Sequence, residues 1–163
     1  MAQAAIGIGS SLGDRVATVR AALEDLDRLP STRLLRASRL YESEPVGGVA
    51  LRRFINACAV LETALPPREL LAALLAVEAR HHRERAARWA DRTLDLDLLL
   101  YDELALDDPR LTLPHPEMAD RAFVLIPLAE IAPDWRHPGR QATIAELAGL
   151  LSNESRANVR LYP

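Results

Sequence analysis

The chain has 163 residues, of which 49% are hydrophobic and 26% charged, and a formal net charge of −3. That length suits one domain able to bury its own core, and no apolar run approaches the 18 residues a membrane helix needs. The acidic balance argues against a general nucleic-acid binder, which would normally show a basic excess.

All 20 basic residues are arginine. Any phosphate chemistry must therefore use planar guanidinium forks, which bind phosphate in bidentate fashion. The N-terminus, MAQAAIGIGSSLGD, has no basic segment ahead of its short apolar stretch and does not read as a signal peptide. The single cysteine, Cys58, lies in the apolar run INACAVL and reads as a small core residue.

Residues 4 to 9 read as a buried strand entering the turn SSLGD. From Arg15 the apolar spacing becomes helical through Val16, Val19, Leu23 and Leu26, with Asp14 as N-cap and Pro30 closing the element. Residues 33 to 42 and 53 to 63 read as strands joined by the loop EPVGGVALR. Pro66 and Pro67 start a second helix reaching about Arg85, along which the Leu71 and Leu75 stripe continues as Glu78, His82 and Arg85. A strand over 92 to 101 follows, then a segment with little regular structure, a helical piece near 117 to 130 and a last helix near 143 to 151. Residues 152 to 163 read as a loosely ordered tail of a single domain over 1 to 163. This order predicts an α+β fold, a ferredoxin-like sandwich in which helices pack on the faces of a mainly antiparallel sheet.

Gly7, Gly9 and Gly13 form G-x-G-x-x-x-G, which misses the dinucleotide fingerprint by one residue, and no G-K-[ST] ending makes a Walker loop. The segment reads as a tight strand-to-helix turn, or as a small-residue loop on which a ligand lies close to the backbone. RTLDLDLLLY, residues 92 to 101, is more informative. Side chains alternate along a strand, so Asp95 and Asp97 project from one face about 6 to 7 Å apart. Leu94, Leu96, Leu98 and Leu100 would then be buried on the other face of a central strand. Two carboxylates held so close raise each other's pKa unless a cation shares them, and hard oxygen ligands suit magnesium completed by water and phosphate. The competing reading is a salt-bridged edge strand. Arg83, Arg85, Arg88 and Arg92 precede the pair, and Arg110, Thr112, His115 and Arg121 follow it. Arginines leading into an acidic strand are what clamping of phosphates between guanidinium groups and metal ions requires.

Together, IGIGSSLGD, YESEPVG, FINA, RHHRERAARWADRTLDLDLLLY and LTLPHPEMADRAFVLIPLAEIAP resemble the 6-hydroxymethyl-7,8-dihydropterin pyrophosphokinases of folate biosynthesis. The resemblance implies transfer of diphosphate from ATP to the pterin hydroxymethyl group, release of AMP, and two magnesium ions. It implies Asp95 and Asp97 as metal ligands and Arg83 and Arg92 as catalytic residues stabilising charge on the transferred group. Glu78, Arg85, Trp89, Arg110, Thr112, His115 and Arg121 would bind ATP. Ser43, Pro45, Val46, Phe54, Asn56 and Phe123 would form the pterin site, with the two phenylalanines sandwiching the ring and Asn56 reading its polar edge. The expected partners are these two small molecules, with no nucleic acid and no membrane, bound by a cytoplasmic monomer. A non-catalytic ferredoxin-like module that binds nucleotide or pterin is the alternative. Ser11, WADR and ALRR depart from the family's usual residues.

Overall fold

The computed structural model describes residues 1–45, 52–81 and 93–163. Its framework is a six-stranded sheet built from β1 (Ala2–Ser10), β2 (Thr32–Ala37), β3 (Tyr41–Ser43), β4 (Phe54–Thr63), β5 (Asp95–Tyr101) and β10 (Val159–Leu161). The strand order is β10-β3-β4-β1-β5, with β2 also pairing β4, and each pairing is antiparallel. Two short ribbons lie beside it: β6 (Leu106–Asp108) with β7 (Leu111–Leu113), and β8 (Arg136–His137) with β9 (Ala142–Thr143). The helices are α1 (Arg15–Asp27), α2 (Pro67–His81), α3 (Ala122–Ile131), α4 (Ile144–Gly149) and α5 (Asn153–Ala157), with a 3-10 turn at Met118–Asp120. This is the expected mix of helices with a mainly antiparallel sheet.

Local chemistry explains the helix starts. The Asp14 carboxylate accepts the Ala17 N–H at 3.1 Å, so α1 begins where an N-cap predicts. Thr143 and Glu146 form a reciprocal capping box at α4. The continuation of α2 toward Arg85 lies outside the described residues.

Both sheet faces are covered. Ile6, Ile8, Ile55, Leu61, Leu94, Leu96 and Leu98 pack against Val19 and Leu26 of α1 and against Leu70, Leu74 and Val77 of α2. On the other face Ala5, Cys58, Val60 and Leu99 meet Val124, Leu125 and Leu128 of α3 and Leu147 of α4. Each leucine fully buried in these layers contributes about 1.5 to 3 kcal/mol, so the alternation over residues 94 to 98 is firmly set.

Four expectations change. β5 is an edge strand, not a central one. Its outward Leu96 N–H is taken by the Glu78 carboxylate at 2.6 Å, and the Leu99 carbonyl accepts the His115 N–H at 2.9 Å, so the edge offers little to another chain. Leu100 does not share the face of Leu94, Leu96 and Leu98. The β1–β5 register shifts between Ala5 and Ile6, and Leu99 and Leu100 both join the α3 layer. Residues 102 to 116, read as irregular, contain the β6–β7 ribbon. Residues 152 to 163, read as a tail, form α5 and β10, and β10 pairs with β3 because that edge would otherwise be open. No described helix is long and apolar enough to cross a membrane.

Candidate functional site

Sheet register places the site. Gly9 of β1 stands between Asp95 of β5 and Asn56 of β4, and Gly7 stands between Asp97 and Cys58. Residues opposite one another in an antiparallel pair share a face. Asp95 and Asp97 therefore project on the same side as Phe54 and Asn56, across a strip with no side chains. A methyl group on Gly9 would lie 3.2 Å from the Asn56 side-chain nitrogen and 3.5 Å from the Phe54 ring. Glycine there lets Asn56 and Phe54 lean toward the acids.

Above this strip opens a cavity of about 670 Å³. Its lining includes Ser43, Pro45, Phe54, Asn56, Asp95, Asp97, Arg121 and Phe123 from the sequence-predicted set. Asn56, only 4% exposed, accepts the Ser43 hydroxyl on its Oδ1 at 2.5 Å. The bond fixes the amide and leaves its NH₂ group toward Gly9. Phe123 stands at the start of α3, where the Arg121 guanidinium lies 5.5 Å from its ring centroid. Arg121 is also paired with Glu117. Cys58 lies buried beneath α3, where it donates its thiol hydrogen to the Val124 carbonyl, and burial pushes its pKa up. That removes it from nucleophilic chemistry.

Of the remaining predicted residues, His115, Glu78, Arg110 and Thr112 are described. His115 Nε2 lies 4.0 Å from Asp97 Oδ1, at the edge of the acidic pair. Glu78 reaches β5 from the end of α2 and grips the Leu96 backbone between the two aspartates. Arg110 and Thr112 lie on the β6–β7 ribbon, outside the cavity lining. The Arg110 N–H donates to Asp108, and the Thr112 hydroxyl donates to the Asp108 carbonyl. The Arg110 backbone N–H, helped by the Arg68 and Arg110 guanidinium groups, holds the Asp108 carboxyl below its ordinary range. Val46, Arg83, Arg85, Arg88, Trp89 and Arg92 lie outside the described residues.

Sequence reading missed several lining residues. Gly7 and Gly9 stand in the strand expected over residues 4 to 9, and both line the cavity floor. Glu44, Glu117, Asp120, Ser155, Asn158 and Val159 also line the cavity. Nothing local in the sequence marked them.

The family model for 7,8-dihydro-6-hydroxymethylpterin-pyrophosphokinase (HPPK) matches residues 5–133. The chain is 50% identical over 133 residues to a 2-amino-4-hydroxy-6-hydroxymethyldihydropteridine pyrophosphokinase from Pseudomonas aeruginosa, covering 82% of each chain. It is 38% identical over 141 residues to the enzyme of that name from Bacillus subtilis, covering 86% of this chain and 83% of the relative. Among solved structures, Plasmodium falciparum HPPK-DHPS with pterin and p-hydroxybenzoate superposes with a TM-score of 0.76 at 15% identity. That match covers 99% of this chain and 47% of the other, so the chain spans about half the length of that solved structure. The family match over most of the sequence, with relatives 38% and 50% identical, makes this chain a member of the HPPK family.

Proposed function

We propose that this chain transfers diphosphate from ATP to the hydroxymethyl group of 6-hydroxymethyl-7,8-dihydropterin, releasing AMP, as a step of folate biosynthesis. The observation that carries this reading is the shared face of Asp95, Asp97, Phe54 and Asn56 across Gly7 and Gly9. A flat heterocycle stacked over Phe54 and beneath Phe123 would extend its arm along the glycine strip to the acids. Asn56, held by Ser43, would pair with the polar ring edge, with Pro45 and Val46 closing the side.

Asp95 and Asp97 fit magnesium, since both are carboxylates opening onto the cavity from one strand face. When bound, the metal neutralises phosphate charge. Arg83 and Arg92 are assigned to the far side of the transferred group, and Arg85, Trp89, Arg110, Thr112, His115 and Arg121 to the nucleotide, with Glu78 at the same side. The substrate oxygen attacks the β-phosphorus, the bond between the β-phosphorus and the α-phosphate oxygen breaks, and AMP departs while the hydroxyl proton is lost to water. Positioning and charge neutralisation do most of the chemistry. The reading takes residues 1–163 as one ferredoxin-like domain acting as a cytoplasmic monomer.

The test is AMP formation from ATP, followed by phosphorus NMR, with and without 6-hydroxymethyl-7,8-dihydropterin. Pterin-dependent AMP is expected. Pterin binding without AMP would instead make the chain a binding module.

A further inference from the structure

The cavity has a wall that the family match does not reach. Ser155, Asn158 and Val159 line it, all beyond residue 133, where that match ends. Register joins this wall to the floor: Val159 of β10 stands opposite Ser43 of β3, and Ser43 stands opposite Phe54 of β4. The row Val159, Ser43, Phe54 therefore continues one cavity face to the last strand. Backbone bonding fixes the wall as well, because the Asn158 carbonyl accepts the Glu44 N–H at 3.1 Å, next to Pro45. Asn158 is itself exposed and lines the cavity, and an asparagine amide offers donors and an acceptor.

Strand spacing says which end of a ligand meets this wall. Neighbouring strands lie about 4.8 Å apart, so a ring over β4 sits about 10 Å from the acids of β5, with β3 and β10 beyond it. A substrate whose reacting arm points at Asp95 and Asp97 must present its opposite end toward β3 and β10. In a pterin that end is the amino-oxo edge, which needs matched donors and acceptors.

We infer that Asn158 is a specificity-determining residue that hydrogen-bonds the amino-oxo edge of the pterin from the C-terminal wall, with Val159 packing beside Ser43 below it. The inference rests on the cavity being the pterin site.

The experiment measures equilibrium binding of 6-hydroxymethylpterin by calorimetry, with magnesium and a non-hydrolysable ATP analogue present, to the full chain and to Asn158→Ala, Asn158→Asp and Asn56→Ala. Asn158→Ala is expected to raise the pterin Kd about tenfold while the ATP-analogue Kd stays within twofold. Asn158→Asp keeps the side-chain shape but removes the donors, and it should lose affinity with an unchanged melting temperature. The preference for the pterin over its 2-oxo analogue should shrink in both. Unchanged pterin binding in the Asn158 variants alongside a loss in Asn56→Ala would overturn the role of Asn158 and leave the site standing. No loss in any of the three would remove the pterin site, and the inference with it.

Discussion

Glu78 accepts the Leu96 backbone N–H at 2.6 Å, so the carboxylate at the end of α2 holds β5 at the residue between Asp95 and Asp97. This bond closes the strand edge, and it gives Glu78 a positioning task whatever else it contacts. A charge-assisted hydrogen bond of this kind contributes about 1.5 to 3 kcal/mol. Glu78→Ala should lower stability by that order in urea unfolding and reduce turnover as the aspartates lose their register. Glu78→Gln, whose amide oxygen can still accept, should recover most of the stability. If Gln and Ala are equally unstable, the edge bond is not what Glu78 supplies.

Gly9 and Gly7 occupy equivalent floor positions yet differ in what a methyl group would meet. At Gly9 the added atom falls 3.2 Å from the Asn56 nitrogen, and at Gly7 it makes ordinary contact with Leu99 at 3.5 Å. Asn56 is buried and bonded to Ser43, so it has little room to yield. Gly9→Ala should raise KM for the pterin by roughly tenfold, equivalent to about 1.4 kcal/mol, with KM for ATP unchanged. Gly7→Ala should change pterin KM far less. Equal effects of the two substitutions in steady-state kinetics would remove Gly9 from the ligand-facing floor.

Asp97 is 42% exposed on its side chain, so its removal leaves no buried void. Asp97→Ala should therefore melt near the parent temperature while AMP production falls about a hundredfold or more, the order lost with one strong electrostatic stabiliser. Magnesium and ATP together should raise the melting temperature of the parent and not of the variant. A variant that still gains thermal stability from magnesium and ATP would show that the metal is held elsewhere.

Much of this framework is legible in the sequence where one local rule decides the outcome. Asp14 caps α1 and the leucines of D-L-D-L place Asp95 and Asp97 on the opposite face, because capping and alternation act over a few residues. Legibility ends where partners are distant in the chain. β10 has only three residues and owes its strand conformation to β3, more than 100 residues earlier, so residues 152 to 163 read as a tail. The edge position of β5 and the bulge that turns Leu100 toward α3 are likewise set by pairing with β1. The same limit governs the site. Phe54, Asn56 and Phe123 lie in recognisable motifs, whereas Ser155, Asn158 and Val159 reach the cavity only because the sheet acquires its last strand.

His137 makes stability depend on pH. Its ring is 6% exposed, and Nδ1 accepts two backbone N–H groups, from Gly139 and Arg140, each at 3.1 Å. Burial first, and then the nearby Arg140 charge, hold its pKa below the ordinary 6.5. The unfolded chain thus takes up the proton before the folded chain does. Stability from the neutral ring is present above about pH 6.5, and it is lost as pH falls through the window below that value toward the folded-state pKa. A proton on Nδ1 would also turn it from acceptor to donor against two N–H groups. Urea midpoints measured from pH 7.5 to 5 should fall more steeply for the parent than for His137→Gln, whose amide oxygen accepts without titrating. Parallel slopes for the two proteins would assign the acid sensitivity to other groups.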